Sequence, residues 1–277
     1  MAEIGKYNQL KVAKEVEFGV YLNDEEHGEI LLPRRYVPEQ CSVGDELEVF
    51  IYLDSEQRII ATTEKPFAQA GEFAYLEVVS VSAAGAFLNW GLMKDLLLPY
   101  REQRSEVKEG EKVFVYVYLD MESKRLVASS KIDKHIDNLP AYYQPGDDAD
   151  AIVWAKTDLG YKVIMENLYS GILYKNEVFE DLQVGQSVQV FVKKIRDDEK
   201  IDLALYKPGY EKVDDSAHQV LKYLKAHDGF MPFHDKSPAE GIQSVFGMSK
   251  KTFKKALGAL YKSKLVELVD GGVKLNG

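Results

Sequence analysis

Cysteine is almost missing from this 277-residue chain. Cys41 stands alone, so no disulfide can form within the chain and cysteine-built zinc sites are excluded. Also missing is any apolar run near the roughly 18 residues needed to cross a bilayer. The opening residues Met1-Ala2-Glu3-Ile4-Gly5-Lys6 lack the basic-then-apolar pattern of a secretory signal. A cytoplasmic protein without membrane contact is the expectation. Excess positive charge is lacking as well: the formal net charge is −10, which argues against coating nucleic acid by bulk electrostatics. Any such role needs a local basic surface or stacking. The histidines His27, His135, His218, His227 and His234 show no metal spacing, and each reads as a surface or loop residue. Neither a phosphate-cradling Gly-x-x-x-x-Gly-Lys-Ser/Thr loop nor a Gly-x-Ser-x-Gly elbow occurs. The acidic stretches Asp147-Asp148-Ala149-Asp150 and Asp197-Asp198-Glu199 read as solvated charge at a linker and a hairpin turn. No metal, no cofactor and no catalysis are expected.

Apolar material is plentiful, at 45% hydrophobic residues with only nine prolines, enough to build packed cores. Charge is unevenly spread. From Asp214 onward ten lysines face seven acids, leaving −13 on the residues before it. That contrast predicts a boundary near Pro208-Gly209 and a second kind of module after it.

The first two hundred residues repeat themselves. A shift of 66 positions carries Gly19 onto Gly85, Leu22 onto Leu88, Leu32-Pro33 onto Leu98-Pro99, Gly44 onto Gly110 and Tyr52-Leu53-Asp54 onto Tyr118-Leu119-Asp120. A further shift of 75 carries Gly85 onto Gly160, Leu88 onto Val163, Gly110 onto Gly185 and Val117 onto Val192. The additional residues fall largely between Asp133 and Gly146, where Pro140 and Pro145 mark a linker. Each copy reads as five short strands. The longest, Leu47 to Leu53, Val113 to Leu119 and Val188 to Lys193, are rich in β-branched and aromatic residues and follow a glycine turn. Polar hairpin turns come next, Asp54 to Gln57, Asp120 to Lys124 and Arg196 to Lys200. So small a sheet protects its edges only by closing into a barrel of the OB type.

At Phe18-Gly19-Val20-Tyr21-Leu22 and Gly85-Ala86-Phe87-Leu88 the copies resemble the ribosomal S1 domain, an OB-fold RNA-binding family. The runs Glu29-Ile30-Leu31-Leu32-Pro33, Asp95-Leu96-Leu97-Leu98-Pro99 and Gly171-Ile172-Leu173-Tyr174 resemble its third strand. The resemblance implies that Phe18 and Tyr21 face a groove and stack on bases. In the second copy it leaves Phe87, with Ala84 where the other aromatic would stand; in the third, Leu159 and Lys162 replace both, with Tyr161 nearby and Tyr174 at the family's histidine position. The hairpin acid corresponds to Asp54 and Asp120. At the family's basic position in strand five stand Ile60, Val127 and Asp202, with Arg58, Arg125 and Lys200 close by. Arg34, Arg35, Lys65, Arg101 and Lys131 are the candidate phosphate contacts.

Beyond Pro208 the period changes to that of a helix. Ala217, Val220, Leu221 and Leu224 share one face after an Asp214-Asp215 cap. Ser237-Pro238-Ala239-Glu240 predicts a capping box for a second helix, and Ser249 caps a third. Its apolar stripe is Phe253, Ala256, Leu257 and Leu260, with Lys251, Lys254, Lys255 and Lys262 opposite. Leu265 to Val269 and Val273 to Leu275 read as a hairpin around Asp270-Gly271-Gly272. Three helices and a hairpin resemble a winged helix. Between Gly241 and Val266 lie six lysines and no acid, so Lys250, Lys251, Lys254, Lys255 and Lys262 are candidate nucleic-acid contacts. A surface that docks protein is the alternative reading of the same module.

The expected architecture is multidomain and mainly β: three tandem S1-like OB-fold barrels followed by an α+β winged-helix domain. Its limits are 1–66, 67–133, a linker at 134–146, 147–209 and 214–277. This combination resembles the bacterial conserved virulence factor B family. The resemblance implies single-stranded RNA as partner and post-transcriptional influence on gene expression. A DNA-binding regulator led by the winged helix, and a scaffold whose acidic barrels dock on a basic protein, remain as alternatives.

Overall fold

The computed structural model describes residues 2–136, 142–178, 181–206, 215–262 and 265–276. The first five strands are β1 (Tyr7–Val16), β2 (Gly19–Asp24), β3 (Gly28–Pro33), β4 (Glu46–Leu53) and β5 (Ile59–Thr62). They close into a barrel in the order β1-β2-β3-β5-β4, with β3 and β5 parallel and Leu31 opposite Ile60. A second barrel repeats the order with β6 (Phe73–Ser82), β7 (Gly85–Asn89), β8 (Leu96–Pro99), β9 (Lys112–Leu119) and β10 (Leu126–Ser129). A third does so with β11 (Asp148–Lys156), β12 (Gly160–Met165), β13 (Tyr169–Tyr174), β14 (Ser187–Ile195) and β15 (Ile201–Ala204).

The repeated glycine at the start of the second strand has a steric cause. Gly19, Gly85 and Gly160 have φ of +153°, +142° and +152°, and a Cβ there would lie 2.2, 2.3 and 2.1 Å from the carbonyl oxygens of Leu32, Leu98 and Leu173. Only glycine lets the second and third strands approach so closely. The first strand of every barrel also bulges at one repeat position, at Ala13, Val79 and Trp154, where the register shifts. A bulge bends the strand and raises its twist, which helps five short strands close.

Two compact units divide the chain, the first holding barrels one and two, the second the winged helix and nearly all of barrel three. Within the first unit, β4 is buried on both faces. Val49 and Ile51 point into barrel one with Leu22, Ile30 and Leu32. Phe50 and Tyr52 point the other way and join the core of barrel two with Leu76, Leu88, Trp90, Val115 and Val117. The Phe50 ring meets Trp90 edge-on at 5.7 Å. Burial of such side chains contributes about 1.5–3 kcal/mol each, so the two barrels share one core across their junction. In barrel two the matching outward aromatics, Tyr116 and Tyr118, pack on His135 at 4.3 and 5.4 Å. His135 is thereby half-buried, unlike the surface residue its isolation in the sequence suggests.

The last module comprises α1 (Asp215–Ala226), β16 (Phe230–Met231), α2 (Ala239–Phe246), α3 (Lys250–Lys262), β17 (Val266–Val269) and β18 (Gly272–Leu275). Ala217, Val220, Leu221 and Leu224 of α1 pack on Phe253, Ala256, Leu257 and Leu260 of α3, as both periodicities predict. Ser249 caps α3, accepting a hydrogen bond from the Thr252 amide at 3.1 Å. The capping box at Ser237 does not form. Pro238 is the cap residue of α2 and supplies no side-chain bond, while the Ser237 hydroxyl accepts from the His234 amide at 3.0 Å. A local turn has claimed the side chain, the usual competitor of a cap. Strand β16 pairs with β18 and was not legible, since two residues carry no period. The predicted boundary at Pro208-Gly209, Asp214 of the predicted cap, Pro140 and the side chains of Asp215 and His218 lie outside the described residues.

Candidate nucleic-acid interface

Strand pairing sets one row of outward residues across each barrel. On barrel one the row runs Lys14, Tyr21, Leu31 and Ile60, from β1 through β2 and β3 to β5. Phe18, just ahead of β2, is 57% exposed and meets Tyr21 edge-on at 6.2 Å. The Lys14 ammonium lies over the Tyr21 ring at 4.8 Å, and the Arg34 amide donates to the Phe18 carbonyl. Arg58, in the hairpin after β4, is held by Asp54 at 2.7 Å. Burial works against the Asp54 carboxylate, but the backbone and side-chain bonds from Arg58 outweigh it and hold its pKa below the ordinary carboxylate value. An exposed ring edge-on to a half-buried one, with a cation over the second, is the kind of surface on which an unstacked base can stack. Lys14 was not singled out from sequence; the signal is its register opposite Tyr21, which only pairing reveals.

Barrel two places Ser80, Phe87, Leu97 and Val127 in the same row. Phe87 is half-buried and Ala84 exposed. Here Asp120 is bonded by the Ser123 hydroxyl at 2.6 Å and by Arg101 at 3.5 Å. The Ser123 bonds lower its pKa. Arg101 is exposed, and the Lys131 ammonium donates to its carbonyl, so this pair sits together.

On barrel three the row is Ala155, Lys162, Ile172 and Asp202. Alternation along β12 turns Tyr161 to the inner face, at the repeat position of Val20 and Ala86; it is 6% exposed, with its hydroxyl 3.2 Å from Asp181. Tyr174 ends β13, and its hydroxyl donates to Asp202 at 3.1 Å while Arg196 binds the same carboxylate at 2.8 Å. The charges are exchanged relative to barrel one: Arg196 occupies the position of Asp54, and Asp202 that of Ile60.

The remaining candidates lie apart. Arg34 also reaches Glu15 at 3.4 Å, Arg35 covers the Tyr36 ring at 4.6 Å, and Lys65 is exposed. On α3, Lys251, Lys254, Lys255 and Lys262 are exposed, whereas the Lys250 ammonium donates to the Lys236 carbonyl at 3.2 Å. Among the described residues no three His, Cys, Asp or Glu side chains are grouped so as to hold a metal ion, and no helix is long and apolar enough to cross a membrane.

The S1 domain family matches residues 4–64 and 70–131, and the family described as CvfB-like winged helix domain matches residues 218–275. Curated proteins named Conserved virulence factor B from Staphylococcus aureus strains bovine RF122 / ET3-1 and USA300 are each 28% identical over 250 residues, which is 86% of this chain and 81% of theirs. A solved structure from Streptococcus pneumoniae TIGR4, described as a multidomain protein with nucleic acid binding domains, is 25% identical over 99% of this chain and 98% of its own, with a TM-score of 0.43. The S1 and winged-helix matches support nucleic-acid binding in general.

Proposed function

Taking the chain as the member of the conserved virulence factor B family that its S1 and CvfB-like winged helix domains make it, we propose a non-enzymatic protein that binds single-stranded RNA. The observation that carries this reading is the exposed Phe18 ring edge-on to the half-buried Tyr21, with the Lys14 ammonium over Tyr21. Aromatic faces accept any unstacked base, and a duplex has none to offer. On a chain of net charge −10, such a local site works where bulk attraction does not. Barrel one leads, barrel two contributes through Phe87, and barrel three contributes least. The modules act within 1–66, 67–133, 147–209 and 214–277, in the cytoplasm, and the outcome of binding is post-transcriptional control.

A second reading draws on α3. Its lysines face away from the Phe253–Leu260 stripe with no acid among them, a surface suited to the phosphates of duplex DNA. Competition binding of the full chain with single-stranded RNA, duplex RNA and duplex DNA at one salt concentration tests both. Preference for the single strand is the expected result; preference for duplex DNA overturns it in favour of a winged-helix-led regulator.

A further inference from the structure

A cavity of about 190 Å³ lies at the junction of barrels one and two, lined by Tyr52 and Leu53 on one side and by Ala84, Phe87, Lys94 and Arg125 on the other. Drug-sized ligands need about 300 Å³ or more, so this space suits a single planar ring. Three features mark it as built. First, its walls are fixed. Tyr52 belongs to the shared core, Trp90 forms the floor with its indole N–H donating to the Lys94 carbonyl at 2.6 Å, and the Lys94 ammonium donates to the carbonyls of Leu53 and Asp54 at 2.9 and 3.0 Å. Second, Ala84 occupies the repeat position of Phe18. What the sequence shows as a lost aromatic is, at this junction, room beside Phe87.

Third, two cations share the space. Arg125 is half-buried and follows a hairpin like that of Arg58, yet Asp120 is held by Ser123 and Arg101 rather than by Arg125. Burial, then the charge of Arg125, pulls the Lys94 ammonium below its ordinary pKa, with Asp54 opposing. Asp54 is itself committed to Arg58, and Asp95 completes the polar rim. Two like charges brought together at a cost are relieved by an anion placed between them.

We propose that this junction pocket receives one unstacked nucleotide of a bound single strand, its ring against Phe87 in the space Ala84 leaves and its phosphate on Arg125. The inference rests on the RNA-binding reading above and adds that barrels one and two read a strand as one composite site. Neither barrel alone forms the pocket, because Tyr52 and Leu53 come from the first and Phe87 and Arg125 from the second.

The test uses the full chain with a fluorescent single-stranded RNA oligomer, and uridine monophosphate and inorganic phosphate as small probes. Ala84→Trp fills the space from an exposed position, and Arg125→Gln removes the phosphate contact; each should weaken oligomer binding about tenfold with an unchanged melting temperature. The monophosphate should perturb Trp90 fluorescence in a Trp154→Phe background, more strongly than inorganic phosphate does. If the oligomer binds and Phe18→Ala/Tyr21→Ala weakens it while both pocket variants leave it unchanged, the pocket proposal is overturned and the RNA reading stands. If the wild-type chain binds no single-stranded RNA, the RNA reading fails first, and the pocket fails with it unless the monophosphate still shifts Trp90. Equal effects of the monophosphate and inorganic phosphate reduce the pocket to an anion site and overturn the base-binding claim.

Discussion

Barrels one and three are the same scaffold carrying opposite surfaces. Both close in one strand order, both need a glycine at the start of the second strand, and both bulge at the same place in the first. On barrel one the outer row is Lys14, Tyr21, Leu31 and Ile60, with Phe18 projecting beside it. On barrel three that row ends in Asp202, which is already satisfied by Tyr174 and Arg196. A closed barrel is maintained by its inner residues and its backbone fit, so its outer row is free to change. Duplication has kept the first and let the second drift.

The sharpest way to break the comparison is to attack what the barrels share. Gly19→Ala and Gly160→Ala each force a Cβ into a carbonyl of the neighbouring strand at φ above +150°, and each should cost about 2–4 kcal/mol. Denaturant melts of the two variants should show similar losses; a large loss in one and none in the other would mean that the third barrel is held by different contacts.

Next in size is the difference in binding. Phe18→Ala with Tyr21→Ala should lose about 1–3 kcal/mol per stacked base, read by fluorescence anisotropy on single-stranded RNA, with little change in thermal stability. Tyr174→Phe should leave that affinity within experimental error. Were Tyr174→Phe the more damaging of the two, the ranking of barrels would be reversed.

A smaller effect separates the barrels by acid. Asp24 is buried in barrel one, and although burial opposes its charge, hydrogen bonds from the His27 side chain and from the amides of His27, Ala2 and Glu26 hold its pKa well below the ordinary value. A folded-state value below the unfolded one of roughly 3.9 means stabilisation that is whole above that pH and lost as pH falls toward the folded value. Asp24→Asn should cost about 1–2 kcal/mol at neutral pH and progressively less in acid. A variant whose deficit stays constant down to strongly acidic pH would remove the charge from this account.

Smallest is the contrast between barrels and winged helix. Changing Lys251, Lys254 and Lys255 to Gln should flatten the salt dependence by about 0.7 per phosphate contact on single strands, or about 0.9 on duplex DNA, without sequence preference. An unaltered slope would assign α3 to protein docking or spacing, leaving RNA to the barrels.

The threefold repeat, the five-stranded barrels and the winged helix were all legible in the sequence, because alternation and helical period are local properties, whereas the order of the strands was not. Gly19, Gly85 and Gly160 announce their strands, and the Phe253–Leu260 stripe announces α3. Ser237 misled because a hydroxyl near a helix start has more than one amide within reach, and local sequence does not say which it takes. Tyr161 was ambiguous for a related reason: in a divergent copy a one-residue difference in register moves a ring from the groove to the core.

What the sequence determined by itself is which residues of a strand share a face. What covers the outer face was decided by tertiary structure alone. In β4 the period separates Phe50 and Tyr52 from Val49 and Ile51, yet nothing in it shows that a second barrel provides their core. The same packing turns Ala84 from a missing aromatic into the open side of a pocket. Contacts between copies join residues far apart in the chain, and their energy depends on shape and distance in space, which no local pattern encodes.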